Sequence, residues 1–146
     1  HRDNDKNGIA EYGGTIDTKN DGLKEILMAA AWESGMDNAV RFDEDYGVSI
    51  LENKDGSGKA VGYSISQESV DLNSYLFAEK KLLAKIAKIL NKEEDSNKYD
   101  KEAEHVKEFI QNNMFDKENG FFFDVDIKTK KPLINRGMGP EGIIPL

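Results

Sequence analysis

The chain contains no cysteine. That rules out a disulfide framework, a thiolate metal site and a cysteine nucleophile, while leaving the compartment open. Long hydrophobic runs are also missing. No stretch approaches the roughly 18 apolar residues that span a bilayer, and no basic segment followed by an apolar one opens the chain as a targeting signal. Positive charge is scarce, with 20 Lys and Arg against 28 Asp and Glu and a formal charge of −8. This balance argues against nucleic acid or an anionic membrane as the main partner, and it fits a soluble protein that meets a neutral ligand or a cation. Histidine is nearly absent. His1 is terminal, and His105 has no second ligand one helical turn on, so neither suggests a metal motif.

What is present fits one domain: 146 residues, 38% of them hydrophobic, enough for a core of their own. The organising stretch is Ala31-Trp32-Glu33-Ser34-Gly35-Met36-Asp37-Asn38. Leu23, Ile26, Leu27 and Ala30 recur at helical spacing before it, which predicts a helix over residues 23 to 33, capped by Asn20 or Asp21 and stopped by Gly35. Asp37 follows directly, an acid where the chain can change direction. Trp32 is a candidate platform for a pyranose face. Taken without any relatives, Asp37 reads by default as a turn or capping residue.

Residues 3 to 11 place Asp3, Asp5 and Asn7 at alternate positions, then Gly8, Ile9 and Glu11. This is the front half of a calcium loop of the EF-hand type: alternate side chains converge on hard-cation geometry, Gly8 permits the bend, and Ile9 offers its backbone carbonyl. The bidentate Glu at position 12 is missing, since Gly14 stands there, so a carboxylate from elsewhere must complete the shell, and Glu68 is the candidate. A solvated Asx-rich turn is the competing reading.

Beyond the organising stretch, residues 41 to 62 read as an irregular polar connection with weak strand signals near Val48. Val70, Tyr75, Leu76, Leu82, Leu83, Ile86, Ile89 and Leu90 form a broad apolar stripe on a helix from Ser69 to about Asn91. A second helix starts at Asp95 or Ser96 and keeps its period through Met114, so two long helices joined by about five residues form an antiparallel hairpin. The aromatic and methionine residues on them read as core. Residues 121 to 127 followed by 131 to 134 read as a short β-hairpin. The chain opens and closes without punctuation, like the interior of a longer protein.

Four segments in register carry a resemblance: the acidic loop ending Glu11-Tyr12-Gly13, the stretch from Trp32 to Asn38, Gly62-Tyr63-Ser64 with Gln67-Glu68-Ser69-Val70-Asp71, and Gly139-Pro140-Glu141-Gly142 with Pro145-Leu146. Together they resemble the catalytic domain of glycoside hydrolase family sixty-three, which includes processing α-glucosidases and is related to the trehalases. The resemblance implies a mainly α fold, part of a six-fold α/α toroid with a small β-hairpin. Residues 1–146 would be the N-terminal part of that barrel, the rest coming from sequence outside this chain or from another chain.

It further implies hydrolysis of an α-glucosidic bond with inversion, on an oligosaccharide or glucoside substrate. Asp37 would be the general acid, and the base a Glu outside this chain. Such an acid works best when apolar neighbours, here Trp32 and Met36, keep it protonated. Trp32, Glu33, Asn38, Arg41, Gly139 and Glu141 are the implied substrate-side residues, with Glu33 also accepting hydrogen bonds that fix the loop. By the same transfer a structural Ca2+ is implied at Asp3, Asp5, Asn7, Ile9, Glu11 and Glu68. The alternatives are a calcium-stabilised helical module that binds sugars without cleaving them, and a helical interaction domain.

Overall fold

The computed structural model describes residues 2–15 and 22–146. His1, Asn20 and Asp21 lie outside the described residues. In chain order the elements are β1 (Gly13–Gly14), α1 (Leu23–Ser34), single 3-10 turns at Val40–Phe42 and Glu44–Tyr46, β2 (Ile50–Lys54), β3 (Ala60–Ile65), β4 (Gln67–Glu68), α2 (Val70–Ile89) and α3 (Glu93–Phe109). A π turn (Ile110–Met114) continues α3. It is followed by β5 (Phe115–Asp116), β6 (Phe121–Phe122), β7 (Val125–Asp126) and two more 3-10 turns at Ile134–Arg136 and Pro140–Ile143. The class is mainly α, and among the described residues no helix is long and apolar enough to cross a membrane.

The end of α1 follows its sequence. Gly35 adopts the left-handed conformation at φ 70°, and its amide reaches the carbonyl of Trp32, a turn that costs a β-carbon-free residue little. Its apolar spacing buries Ile26, Leu27, Ala30 and Ala31. These pack with Tyr12, Phe42, Val48 and Ile65 as one core cluster. A second cluster joins Ile9, Val70, Val106, Ile110, Met114 and Val125.

The helical hairpin forms with a tighter joint than expected. Only residues 90–92 separate α2 from α3, and Asn91 takes a left-handed φ of 56° to make the reversal. Lys81 to Asp100 at 2.7 Å and the Ser96 hydroxyl donating to the Ala84 carbonyl at 3.0 Å mark the antiparallel register. α3 starts at Glu93, ahead of Asp95, with Glu93, Glu94 and Asp95 in its first turn, where carboxylates meet the positive end of the helix dipole.

Three sequence expectations are corrected. The stretch 41–62 holds a real β-hairpin: β2 and β3 pair antiparallel, and β1 adds to the other edge of β3. Its turn closes because Asp55 Oδ1 accepts hydrogen bonds from the Ser57 amide, the Ser57 hydroxyl and the Lys59 amide, a self-capping Asx turn. Gly13 is a strand residue because a β-carbon there would fall 1.9 Å from the Tyr63 carbonyl oxygen. Second, the hairpin expected over 121 to 134 shrinks to one bridge between Val125 and Pro132. β6 pairs instead with β5, and β7 with β4. Third, most of the α2 stripe is not core. Leu82, Leu83, Ile86, Ile89 and Leu90 are exposed, because α3 covers the other side of α2, where Ala84 and Ala87 are buried.

Candidate active site and acidic loop

Trp32 and Asp37 share a cleft of about 300 Å³, lined also by Lys24, Leu27, Met28, Phe42, Asp43 and Glu44. Trp32 sits at the exposed C-terminal end of α1, 66% accessible, so its ring is open to a ligand. Asp37 is exposed as well, which corrects the expectation that Trp32 and Met36 bury it. Its loop is pinned at both ends, by the Gly35 turn on one side and on the other by the Val40–Phe42 turn, in which the Phe42 amide bonds the Ala39 carbonyl. Asn38, beside Asp37, is exposed.

The remaining implied substrate residues lie elsewhere. Glu33 turns away from the cleft: one oxygen accepts the Gly13 amide at 3.0 Å and the other pairs with Arg2 at 3.1 Å, tying the end of α1 to β1. Arg41, implied as a sugar contact, is only 1% exposed. Its guanidinium holds Asp71 at 2.7 Å and Asp124 at 3.4 Å. It also lies about 5 Å from the ring centres of Tyr12 (5.2 Å) and Phe42 (5.1 Å), favourable for a cation over aromatic faces.

These partners make a buried network. Tyr12 donates its hydroxyl to Asp71. Asp124 accepts the Val70 amide at 2.8 Å and a Gln67 side-chain N–H at 3.1 Å. Burial pushes the Asp124 carboxyl up to about 6, although Arg41 and the Val70 amide pull the other way. For Arg41, burial favours losing the proton, yet Asp124 and Asp71 outweigh it and the guanidinium is held above its ordinary value. Glu141 acts on the charge of both Arg41 and Asp124, and its own Oε2 is buried without a partner. The Glu141 carboxylate folds back over Gly139, where an added β-carbon would lie 2.2 Å from it. Neither Glu141 nor Gly139 is among the residues lining the Asp37 cleft.

Asp124 was missed in the sequence, though a charge set between Phe123 and Val125 in an apolar run is a signal for it. Gln67 and Asp71 lie in a segment that carries the resemblance, which assigns them no role. Their signal is that residues 67–71 are polar or charged at all but Val70, and every one of them is buried.

The acidic loop folds around its own backbone. Gly8 takes φ 85°, and Asp3 accepts the amides of Asn7 and Gly8, both at 2.9 Å. Carboxylate oxygens of Asp3, Asp5 and Glu11 lie within 4.8 Å of one another, a spacing that could hold a metal ion. Glu11 is fully buried, and burial pushes its carboxyl up to about 8, against the opposing bonds from Asn4 and Ser64. Asn7 donates its side-chain amide to both Asp5 and Glu68. Ile9 packs its side chain in the second core cluster, and its amide bonds the Asn7 side-chain oxygen. Glu68 is fully buried; its Oε1 is bonded, and its Oε2 has no partner. Asp3, Asp5 and Glu11 offer hard oxygens of the kind Ca2+ takes, and Glu68, outside that group of three, keeps one buried carboxylate oxygen without a partner.

Lys130 was not anticipated. Its ammonium lies 2.6 Å from Asp5 Oδ2 and 2.6 Å from Glu68 Oε1. No local pattern points to it, since its contacts span 125 residues to Asp5 and 62 to Glu68. His105 binds the Asn7 backbone oxygen at 2.7 Å and plays a packing part at the loop.

The family model for a mannosylglycerate hydrolase MGH1-like glycoside hydrolase domain matches residues 1–146. The match carries glycosidase chemistry in general, and with it a carbohydrate substrate. The narrower label of processing α-glucosidase is finer than the match itself. With an acid and an aromatic residue lining one cleft, and a whole-length match to a sugar-cleaving domain, the chain belongs to the MGH1-like glycoside hydrolase domain family.

Proposed function

We propose that the protein hydrolyses an α-glycosidic bond with inversion, with Asp37 protonating the leaving oxygen. The observation that carries this reading is the cleft that Asp37 shares with Trp32 at the end of α1. A protonated carboxyl at the leaving oxygen needs a second carboxylate about 6.5–9.5 Å away to activate water. That base is a Glu outside this chain, on the part of an α/α toroid that these residues begin. Exposed as it stands, Asp37 gains its apolar cover from the bound sugar and from those further segments. Trp32 stacks on the sugar ring, and Asn38 donates from the same turn. Arg41 acts behind the site, its pairs with Asp71 and Asp124 holding the Val40–Phe42 turn in place.

The substrates to try first are α-glucosides, from the family-sixty-three resemblance, and mannosylglycerate, from the name of the matching domain. The test is Asp37→Asn in the full-length protein. Turnover should fall by about 10²–10⁴-fold, the usual worth of a general acid, with an unchanged circular dichroism spectrum. Retained turnover removes Asp37 from the role. Proton NMR of the first sugar released reads the anomer directly, and a retained anomer rules out inversion.

Asp3, Asp5, Glu11 and Glu68, with Asn7 and the Ile9 carbonyl, are the residues that would hold a structural Ca2+, which would neutralise the acidic loop and join it to the start of α2. Calcium should raise Tm and a chelator should lower it. An identical Tm in both conditions rules the ion out.

A further inference from the structure

Lys130 is delivered to the acidic loop by a built turn. β7 pairs with β4 so that Val125 faces Glu68, which anchors the turn to the strand that carries this carboxylate. Asp126 Oδ1 then accepts the amides of Lys128 and Thr129, and the Asp126 carbonyl accepts that of Lys130. Lys130 itself is held at φ 55°, a left-handed conformation that a lysine adopts only at a cost. The ammonium so presented lies against Asp5 and Glu68 and 5.9 Å from the centre of the Phe109 ring.

We infer that Lys130 is a built-in counter-ion of the acidic loop and that its ammonium and a divalent cation exchange for the same carboxylates. The inference rests on the calcium reading above but concerns a residue that reading leaves out. Two features support exchange over co-occupancy. Asp5 and Glu68, both implied ligands, already spend an oxygen on the ammonium. A cation held at 2.3–2.6 Å from those oxygens would face Lys130 across a single carboxylate, and like charges so close repel. The second feature is the unpartnered Glu68 Oε2. Lys130 satisfies only half of this buried carboxylate, so the site keeps a free oxygen for a better-matched ion.

Exchange has a clear consequence. Metal-free protein stays folded because Lys130 supplies positive charge, and calcium binding releases the turn 126–130. The experiment is calorimetric titration of Ca2+ alone into wild type and Lys130→Met. Removing the competing charge should tighten binding by about ten-fold or more, and it should enlarge the rise in Tm on adding calcium, because that rise follows ligand concentration over Kd. Equal or weaker binding by Lys130→Met overturns the exchange while leaving the calcium site intact. Binding by neither protein overturns both readings.

Because Lys130→Met could fail to fold without metal, wild type provides a second readout. Acetylation of Lys130 by an amine reagent, followed by mass spectrometry, should rise several-fold with calcium over chelator, judged against exposed Lys98. An unchanged or lower rate overturns the exchange.

Discussion

The two ends of α2 invert the usual rule of burial. At its start, Asp71 and Asn73 are fully buried; at its end, Ile89 is 78% and Leu90 60% exposed. One helix thus hides charge and shows hydrocarbon. The first end is explained inside the chain: Asp71 has Arg41 and Tyr12, and Asn73 bonds the backbone of Ala10 and Ser69. A buried charge is tolerated when every partner is in place. The second end has no such partners among the described residues, and its apolar side chains stay open to solvent. Burial here therefore follows available partners, not residue polarity.

The contrast can be broken first at its charged end. Arg41→Met leaves Asp71 and Asp124 buried together without a cation and should cost about 3–5 kcal/mol, measured by urea unfolding. A cost under about 1 kcal/mol would mean that Arg41 is not what makes burial possible there.

Next comes pH. Asp124 is held at about 6, above the ordinary 3.8, so the folded protein binds more protons than the unfolded chain between those values. Its contribution is full below about 4 and is lost as pH rises through about 6. The urea midpoint should fall over that window in wild type and fall less in Asp124→Asn. Parallel profiles would remove Asp124 as the source.

The smallest effect belongs to the apolar end. Ile89→Ser should change stability by no more than about 0.5 kcal/mol, because little is buried there to lose. A loss of about 2 kcal/mol or more would show that Ile89 is covered in solution.

Local chemistry was largely legible in the sequence. The stop at Gly35, the bend at Gly8, the antiparallel helix pair and the clustering of Asp3, Asp5 and Glu11 all depend on near neighbours. What the sequence concealed was long-range. β1 meets β3 because Gly13 has no side chain to hold Tyr63 away, a fact about residues fifty positions apart. Arg41 was implied as a sugar contact by the resemblance alone, and nothing local announces Asp71 and Asp124 as its partners. The direction of the α2 stripe depends on which side α3 covers, and spacing alone fixes only that a stripe exists. The Asp37 cleft is legible in part: Trp32 and Asp37 were named and share it, while Lys24, Asp43 and Glu44 came only with the fold.

The position of Asp124 has one further consequence. It bonds the Val70 amide, and Val70 lies in the second core cluster. It also grips Arg41, whose guanidinium lies beside Tyr12 and Phe42 of the first. Neither cluster can open without stripping this carboxylate of a partner, so the two cores are fastened into one cooperative unit. Their slowest-exchanging amides should share a single opening free energy.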